Sequence, residues 1–317
     1  MQKIIFTTIL VLFIKLNAVS QVDTLRWINK HARELKSVDQ NDHADLSFLK
    51  KELKGKDIVG LGEASHGTRQ FYTEKTRIIS YLIETCDFRT IAFEVPDSLM
   101  MQIDAFVQTG KGDIKSTMKG MGLYGAEEIY QLFLALRDYN AKSVAEKRVK
   151  LIGFDKPEYW SDPISRDRFM AENLTKILSK KKDKIILWAH NVHLTKDTTA
   201  QYLSMGGFLT KNFADRYFAL AFDTEQGTVN VLNQGKFESH HFKSNPNTLS
   251  GLMSRARAAC FYLKFNANDD PFKGGIVYIT NIYSNWTELK PIPIRPGIDF
   301  DAILFIRNTT HSTPINR

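Results

Sequence analysis

The stretch "DIVGLGEASHG", Asp57 to Gly67, decides the fold. A short apolar run ends in glycines, and a glutamate, a serine and a histidine follow at once. A brief apolar run bounded in this way reads as a strand buried on both faces. Beyond it, "TRQFYTEKTRIISYLIETC" carries Phe71, Ile78, Ile79, Leu82 and Ile83 at three- and four-residue steps. That is the period of an amphipathic helix, with Thr68 placed to cap it. A buried strand followed directly by such a helix is the unit from which parallel α/β sheets are built.

The unit recurs along the chain. "TIAFEVP" is a strand that Pro96 stops, and "DSLMMQIDAFVQTG" is a helix closed by Gly110. A further helix starts at Glu127, "VKLIGFD" is a strand, and "ISRDRFMAENLTKILSK" is a helix with Met170, Leu174, Ile177 and Leu178 on one face. "KIILWAH", "YFALAFDTEQG", "GTVNVL", "AACFYLKF" and "DFDAILFI" complete the strands, the second and third reading as an antiparallel hairpin across "TEQG". Residues 24–54 read as helices. The expectation is one α/β domain over 21–317: a mostly parallel central sheet flanked by helices, with a short helical cap from an excursion over about 97–145.

Composition narrows the function classes. The 317 residues are 43% hydrophobic and 25% charged, an ordinary globular balance, with no repeat or low-complexity segment. Residues 1–20 have a basic start at Lys3, an apolar run from Ile4 to Ile14 and small residues at Ala18 and Ser20. They read as a secretory signal peptide, so an exported protein is expected, periplasmic or extracellular, with no stable membrane insertion after cleavage. The net charge of +8 becomes +6 once Lys3 and Lys15 are removed. Basic residues are scattered apart from "KKKDK" at 180–184, which reads as a solvated helix end, so no nucleic-acid partner is expected. Cys86 and Cys260 lack metal-ligand spacing and read as two buried thiols.

In open parallel sheets, ligands bind beyond the carboxyl ends of the strands. Glu63 and His66 follow the first strand, Glu94 the second and Asp155 the third; His190, Asn191 and His193 follow the fourth, and Asp223 ends the next. Such groups are expensive to bury unless they pair with one another or with a ligand. Carboxylates beside a histidine fix its tautomer and raise its basicity, so it can take a proton from water. Asp223 reads as structural. Serine catalysis lacks its signature: there is no G-x-S-x-G, and the side chains of Ser65 and His66 diverge. "HNVH" does not place two imidazoles on one helical turn as H-E-x-x-H does. No cofactor is expected, with a divalent metal kept as the lesser alternative.

In this order "GLGEASHGTRQF", "FRTIAFEVP", "LIGFD", "LWAHNVHL" and "FDAILFI" resemble the erythromycin esterase family, from about Asp57 to Ile306. The resemblance implies an α/β fold with a helical cap, and hydrolases that open the lactone ring of macrolide antibiotics. By position it implies His66 as the general base, Glu63 and Glu94 as essential acids, His190 as a further essential histidine and His193 as its neighbour. The family's macrolide esterases carry an arginine nine residues after the catalytic histidine. Here that position is Lys75, which keeps the charge and loses the planar fork; Arg69 and Arg77 are the nearby arginines. The cap also looks shorter. The expected function is hydrolysis of a small-molecule lactone or carboxylic ester by His-activated water, with Lys75, Arg69, His193 and Asp155 contacting substrate and a macrolide as the leading candidate. The alternatives are a metal-dependent hydrolase of another small substrate, or a non-catalytic ligand-binding protein of the same fold. Oligomeric state is not legible.

Overall fold

A computed structural model describes residues 21–36, 42–180, 184–265 and 269–315. The expected signal peptide and residues 181–183 of the lysine-rich run lie outside the described residues.

Eleven strands are described: β1 (Arg33–Glu34), β2 (Ile58–Leu61), β3 (Thr90–Pro96), β4 (Lys150–Asp155), β5 (Ile185–Trp188), β6 (Tyr217–Asn233), β7 (Lys236–Lys243), β8 (Cys260–Lys264), β9 (Val277–Ile279), β10 (Ile292–Ile294) and β11 (Ala302–Thr309). Nine form one sheet in the order β1-β8-β11-β6-β2-β5-β3-β4, with β7 on the far part of β6. The six strands from β11 to β4 run parallel, while β8 and β7 are antiparallel to their neighbours.

Side chains alternate between two apolar layers, as the pleat requires. Ile58, Ile185, Leu187, Tyr217 and Ala219 face one layer; Val59, Leu61, Ile186, Trp188, Phe218 and Leu220 face the other. Helices close both. On the second side lie α3 (Arg69–Cys86), α4 (Asp97–Thr109) and α6 (Glu127–Lys142), through Phe71, Ile103 and Phe133. On the first lie α1 (residues 21–31), α7 (Pro163–Lys180), the short α8 (Asn191–Leu194), α9 (Met205–Phe213) and α10 (Leu249–Met253), through Ile28, Leu174, Leu194, Leu209 and Met253. Each such Leu, Ile or Phe is stabilised by about 1.5–3 kcal/mol relative to exposure. Between β3 and β4, α4, the short α5 (Ile114–Met118), a 3-10 segment (Lys119–Tyr124) and α6 bring residues 120–124 over the carboxyl edge of the sheet.

Three local expectations are corrected. The hairpin does not turn at "TEQG": Thr224, Gln226 and Gly227 stay paired with Ile306, Asn308 and Thr309 of β11, so β6 runs unbroken for 17 residues. The turn lies at Gln234 and Gly235, with φ of 47° and 79°, the two-residue loop whose twist suits a hairpin. Residues 24–54 are not all helical. The chain leaves α1 to pair β1 with β8, and Leu35 N–H donates to Cys260 C=O at 2.9 Å before the four-residue α2 (Leu49–Glu52) forms. Thr68 stands at the N-cap of α3, but its hydroxyl pairs with that of Ser65, and Arg69 N–H donates to Thr310 C=O at 2.9 Å instead.

Candidate active site

The first centre grows out of the β2 turn. Glu63 is fully buried, and its two carboxylate oxygens are divided between a cation and a base. Lys75 Nζ donates to Oε2 at 2.5 Å, and His66 Nδ1 lies 2.7 Å from Oε1. A carboxylate can only accept, so the shared proton sits on Nδ1 and leaves the Nε2 lone pair of His66 as the basic site. Burial alone would raise the Glu63 pKa, but Lys75 and then His66 outweigh it and hold the carboxyl below its usual range. Burial pushes Lys75 down to about 8, with Glu63 opposing. The glycines flanking this turn give the backbone its close approach. A Cβ at Gly62 would fall 2.0 Å from Asn191 Oδ1, and one at Gly67 would fall 1.9 Å from Asn230 C=O.

The second centre surrounds Glu94, on β3. Its Oε2 accepts the His190 backbone N–H at 2.9 Å; its Oε1 is 2.8 Å from Arg166 Nη2 and 3.1 Å from His193 Nε2. Arg166 also holds Asp155, with Nη2 to Oδ2 at 2.8 Å, and Trp160 Nε1 donates to the same oxygen at 2.7 Å. His193 Nδ1 meets Asp167 Oδ1 at 2.9 Å. Burial opposes the Glu94 charge, yet His193, His66 and Arg166 hold its carboxyl well below the usual range.

The three histidines occupy three different states. His193 has a carboxylate at each nitrogen, and although burial opposes it, Asp167 and Glu94 raise its pKa to about 10, so it is an imidazolium. Arg166 Nη1 and His193 Nε2, 3.3 Å apart, then both carry protons, so their contact is a like-charge approach tolerated because both converge on Glu94. His190 accepts from Val192 N–H at Nδ1 and faces Ile282 C=O at 3.2 Å with Nε2. Burial first, and then His66, push it down to about 3, so it is neutral with Nε2 as the donor. His66, its ring centroid 4.9 Å from that of His190, is left with an open lone pair.

Two adjoining lobes of one cleft, about 530 and 560 Å³, meet at His66, Glu94, Arg166 and Ser284. His66, Glu94 and His190, expected from the sequence, line the cleft with Asp155 and His193, and Glu63 is buried behind His66. Two expected substrate contacts are corrected. Lys75 is 0% exposed and sits behind Glu63, because it stands on the buried face of α3 with Tyr72, Ile79 and Leu82. Arg69 turns outward to Glu128 at 3.1 Å and does not line the cleft. Asp223 is structural: it accepts from Ser250 Oγ at 2.7 Å and Thr280 N–H at 3.0 Å, and burial pushes it up to about 7. Asn191, within "HNVH", bonds both the C=O (2.8 Å) and the N–H (3.3 Å) of Phe222 and stitches the end of β5 to β6.

Sequence reasoning missed Arg166, Asp167 and Tyr124. The first two lie in the first two turns of α7, which follows β4 after a 3-10 turn (Pro157–Tyr159); an Arg-Asp pair at that place was the available signal. Tyr124 ends the 3-10 segment, with its ring 5.1 Å from that of His66 and its hydroxyl buried beside Glu63. Burial and then Glu63 and Glu94 raise its pKa well above the usual phenol range, so it keeps its proton. Among the described residues, no group of three or more His, Cys, Asp or Glu is placed to hold a metal ion, and the Glu63 and Glu94 oxygens already have partners in Lys75, His66, Arg166, His193 and the His190 N–H. Cys86 and Cys260 are free thiols.

YbfO of Bacillus subtilis, named only provisionally as a hydrolase, is 34% identical over 131 residues, covering 41% of this chain and 28% of that protein. Erythromycin esterase type II of Escherichia coli is 26% identical over 132 residues, 41% of this chain and 31% of its own. The matched stretch thus spans less than a third of either relative. Among solved structures, a Bacillus cereus protein superposes with a TM-score of 0.84 at 20% identity, over 94% of this chain and 99% of that one. A histidine-to-asparagine mutant of the erythromycin esterase EreC, in its open conformation, superposes with 0.68 at 15% identity, over 87% and 96%. These likenesses establish the fold. The erythromycin esterase family model matches residues 83–163 and 158–309, most of the chain, and the chain belongs to that family.

Proposed function

We propose that the protein hydrolyses a carboxylic ester or lactone by direct attack of water, with His66 as general base. The observation that carries the reading is the chain Lys75–Glu63–His66, which ends in an open Nε2 at the junction of the cleft's two lobes. Water bound there gives its proton to Nε2 as its oxygen attacks the carbonyl carbon. The imidazolium that forms is held by Glu63, and His66 then returns the proton to the leaving alkoxide. A side-chain nucleophile has no support: Ser65 is buried and its hydroxyl pairs with Thr68. The tetrahedral oxyanion needs a donor aimed at the cleft. Lys75 is committed to Glu63 and His190 Nε2 to Ile282, and the Tyr124 hydroxyl is buried beside Glu63, which leaves the backbone N–H groups after β2 as the candidates.

A macrolide lactone is the first substrate to try, and opening its ring would confer resistance; the export expected from residues 1–20 would place the reaction outside the cytoplasm. The test is mass spectrometry of chelator-treated protein incubated with fourteen-membered macrolides and simple lactones, beside His66→Ala. A product one water heavier, absent with the mutant, supports the reading. Product formed equally by His66→Ala would end it.

A further inference from the structure

The two lobes share Glu94 and Arg166 and differ in their remaining walls. The first adds the aliphatic side chains of Val95, Met121, Leu123 and Leu232, beside Tyr124 and Asp155, with the exposed Trp160 at its rim. The second has Val192 as its one aliphatic wall. Tyr202, Tyr283 and His190 supply rings, Asp167 and His193 a buried ion pair, and Ser284 and Asn285 exposed polar groups. Tyr283 is 44% exposed and lies nearly parallel to the His190 ring, at 16° and 6.3 Å between centroids, so its outer face is free to stack. Aliphatic walls take a flexible apolar chain by area burial alone. Stacked ring faces beside hydroxyl and amide groups suit a ring that has carbon on its faces and hydroxyls on its edges. His66 stands where the lobes join, so the bond it cleaves must link these two unlike parts.

We infer that the site takes an acylated sugar: an ester whose medium-length apolar acyl chain fills the aliphatic lobe and whose sugar alcohol lies on the Tyr283 side. This rests on the hydrolase reading for the reaction and on the lobes alone for the occupant. The acyl C–O bond breaks, the water oxygen joins the acyl carbon, and the proton held on His66 passes to the sugar oxygen. The products are a fatty acid and a free sugar.

The test separates occupant from reaction. The inert probe is n-octyl glucoside, kept below its micellar threshold and followed by tryptophan fluorescence, because Trp160 lies at the rim of the aliphatic lobe. Saturable binding is expected, at least tenfold tighter than for glucose or 1-octanol alone. Leu232→Gln and Tyr283→Ala, at half-buried and exposed positions where folding tolerates change, should each weaken it by about tenfold, which is about 1.4 kcal/mol. In parallel, 6-O-octanoylglucose should show a higher kcat/KM than ethyl octanoate or 6-O-acetylglucose. Binding of octyl glucoside without turnover of any ester keeps the inferred occupant and removes the hydrolase reading. Turnover of all three esters at equal kcat/KM, with no binding of octyl glucoside, keeps the hydrolase and overturns the inference. Neither binding nor turnover overturns both.

Discussion

Replacing Lys75 by methionine removes the ammonium from Glu63 and nearly keeps the volume. Both side chains are 0% exposed, so water cannot take over the lost contact. Truncating one partner of a buried ion pair costs about 3–5 kcal/mol, because the other charge is left uncompensated. His66, 2.7 Å from Oε1, gives Glu63 a neutral donor but no permanent charge. At about 2–4 °C per kcal/mol for domains of 150–250 residues, the single mutant should melt roughly 6–20 °C lower. Adding Glu63→Gln removes the stranded charge and should restore most of that loss. Urea and thermal melts of the wild type, both single mutants and the double mutant form a cycle that isolates the coupling. If Lys75→Met costs under about 1 kcal/mol, or if the double mutant is no more stable than Lys75→Met, then Glu63 is not an anion held by Lys75. The charge that orients His66 would then have to come from elsewhere.

Four further outcomes are expected. Glu63→Gln should lower turnover by about 10³–10⁴, as loss of a histidine-orienting carboxylate does, with KM little changed in steady-state kinetics on whichever ester is cleaved. His193 has its pKa raised from about 6.5 to about 10, so its contribution to stability is full below pH 6.5 and fades as pH rises through 10; urea midpoints of His193→Gln should lack that decline. Asp223, raised to about 7, keeps a proton that the unfolded chain loses near pH 3.9, so stability should fall between those values and Asp223→Asn should flatten that slope. Gly67→Ala drives a Cβ to 1.9 Å from the Asn230 backbone and should cost about 3 kcal/mol by chemical denaturation; a change below 0.5 kcal/mol would mean that the turn and β6 are not in contact.

The sheet was legible because each parallel strand is buried on both faces and so reads as an unbroken apolar run. The acids and histidines at the strand ends were legible for the same reason: polar groups in such places stand out. What stayed hidden depended on partners far away in sequence. β6 looked like two strands because "TEQG" has turn chemistry; only pairing with β11 keeps it straight. Lys75 looked like a ligand contact because a lysine near a histidine suggests an anion, although its place on the apolar face of α3 already pointed to a buried pair. Arg166 was passed over because arginine is common on helix surfaces, and its link to Glu94, 72 residues earlier, appears only in the folded chain.

The pair of hydrogen bonds between Asn191 and Phe222 has a bearing on genetics. Asn191 stands between residues that touch the cleft, yet its amide ties two strands together. A loss-of-function screen would rank it beside His66 and His190 and count it as chemical machinery. Thermal melts of purified variants would sort them: His66→Asn should keep its melting temperature and lose turnover, whereas Asn191→Ala should lose both. The short motif "HNVH" thus carries two kinds of constraint, and its central asparagine answers to folding.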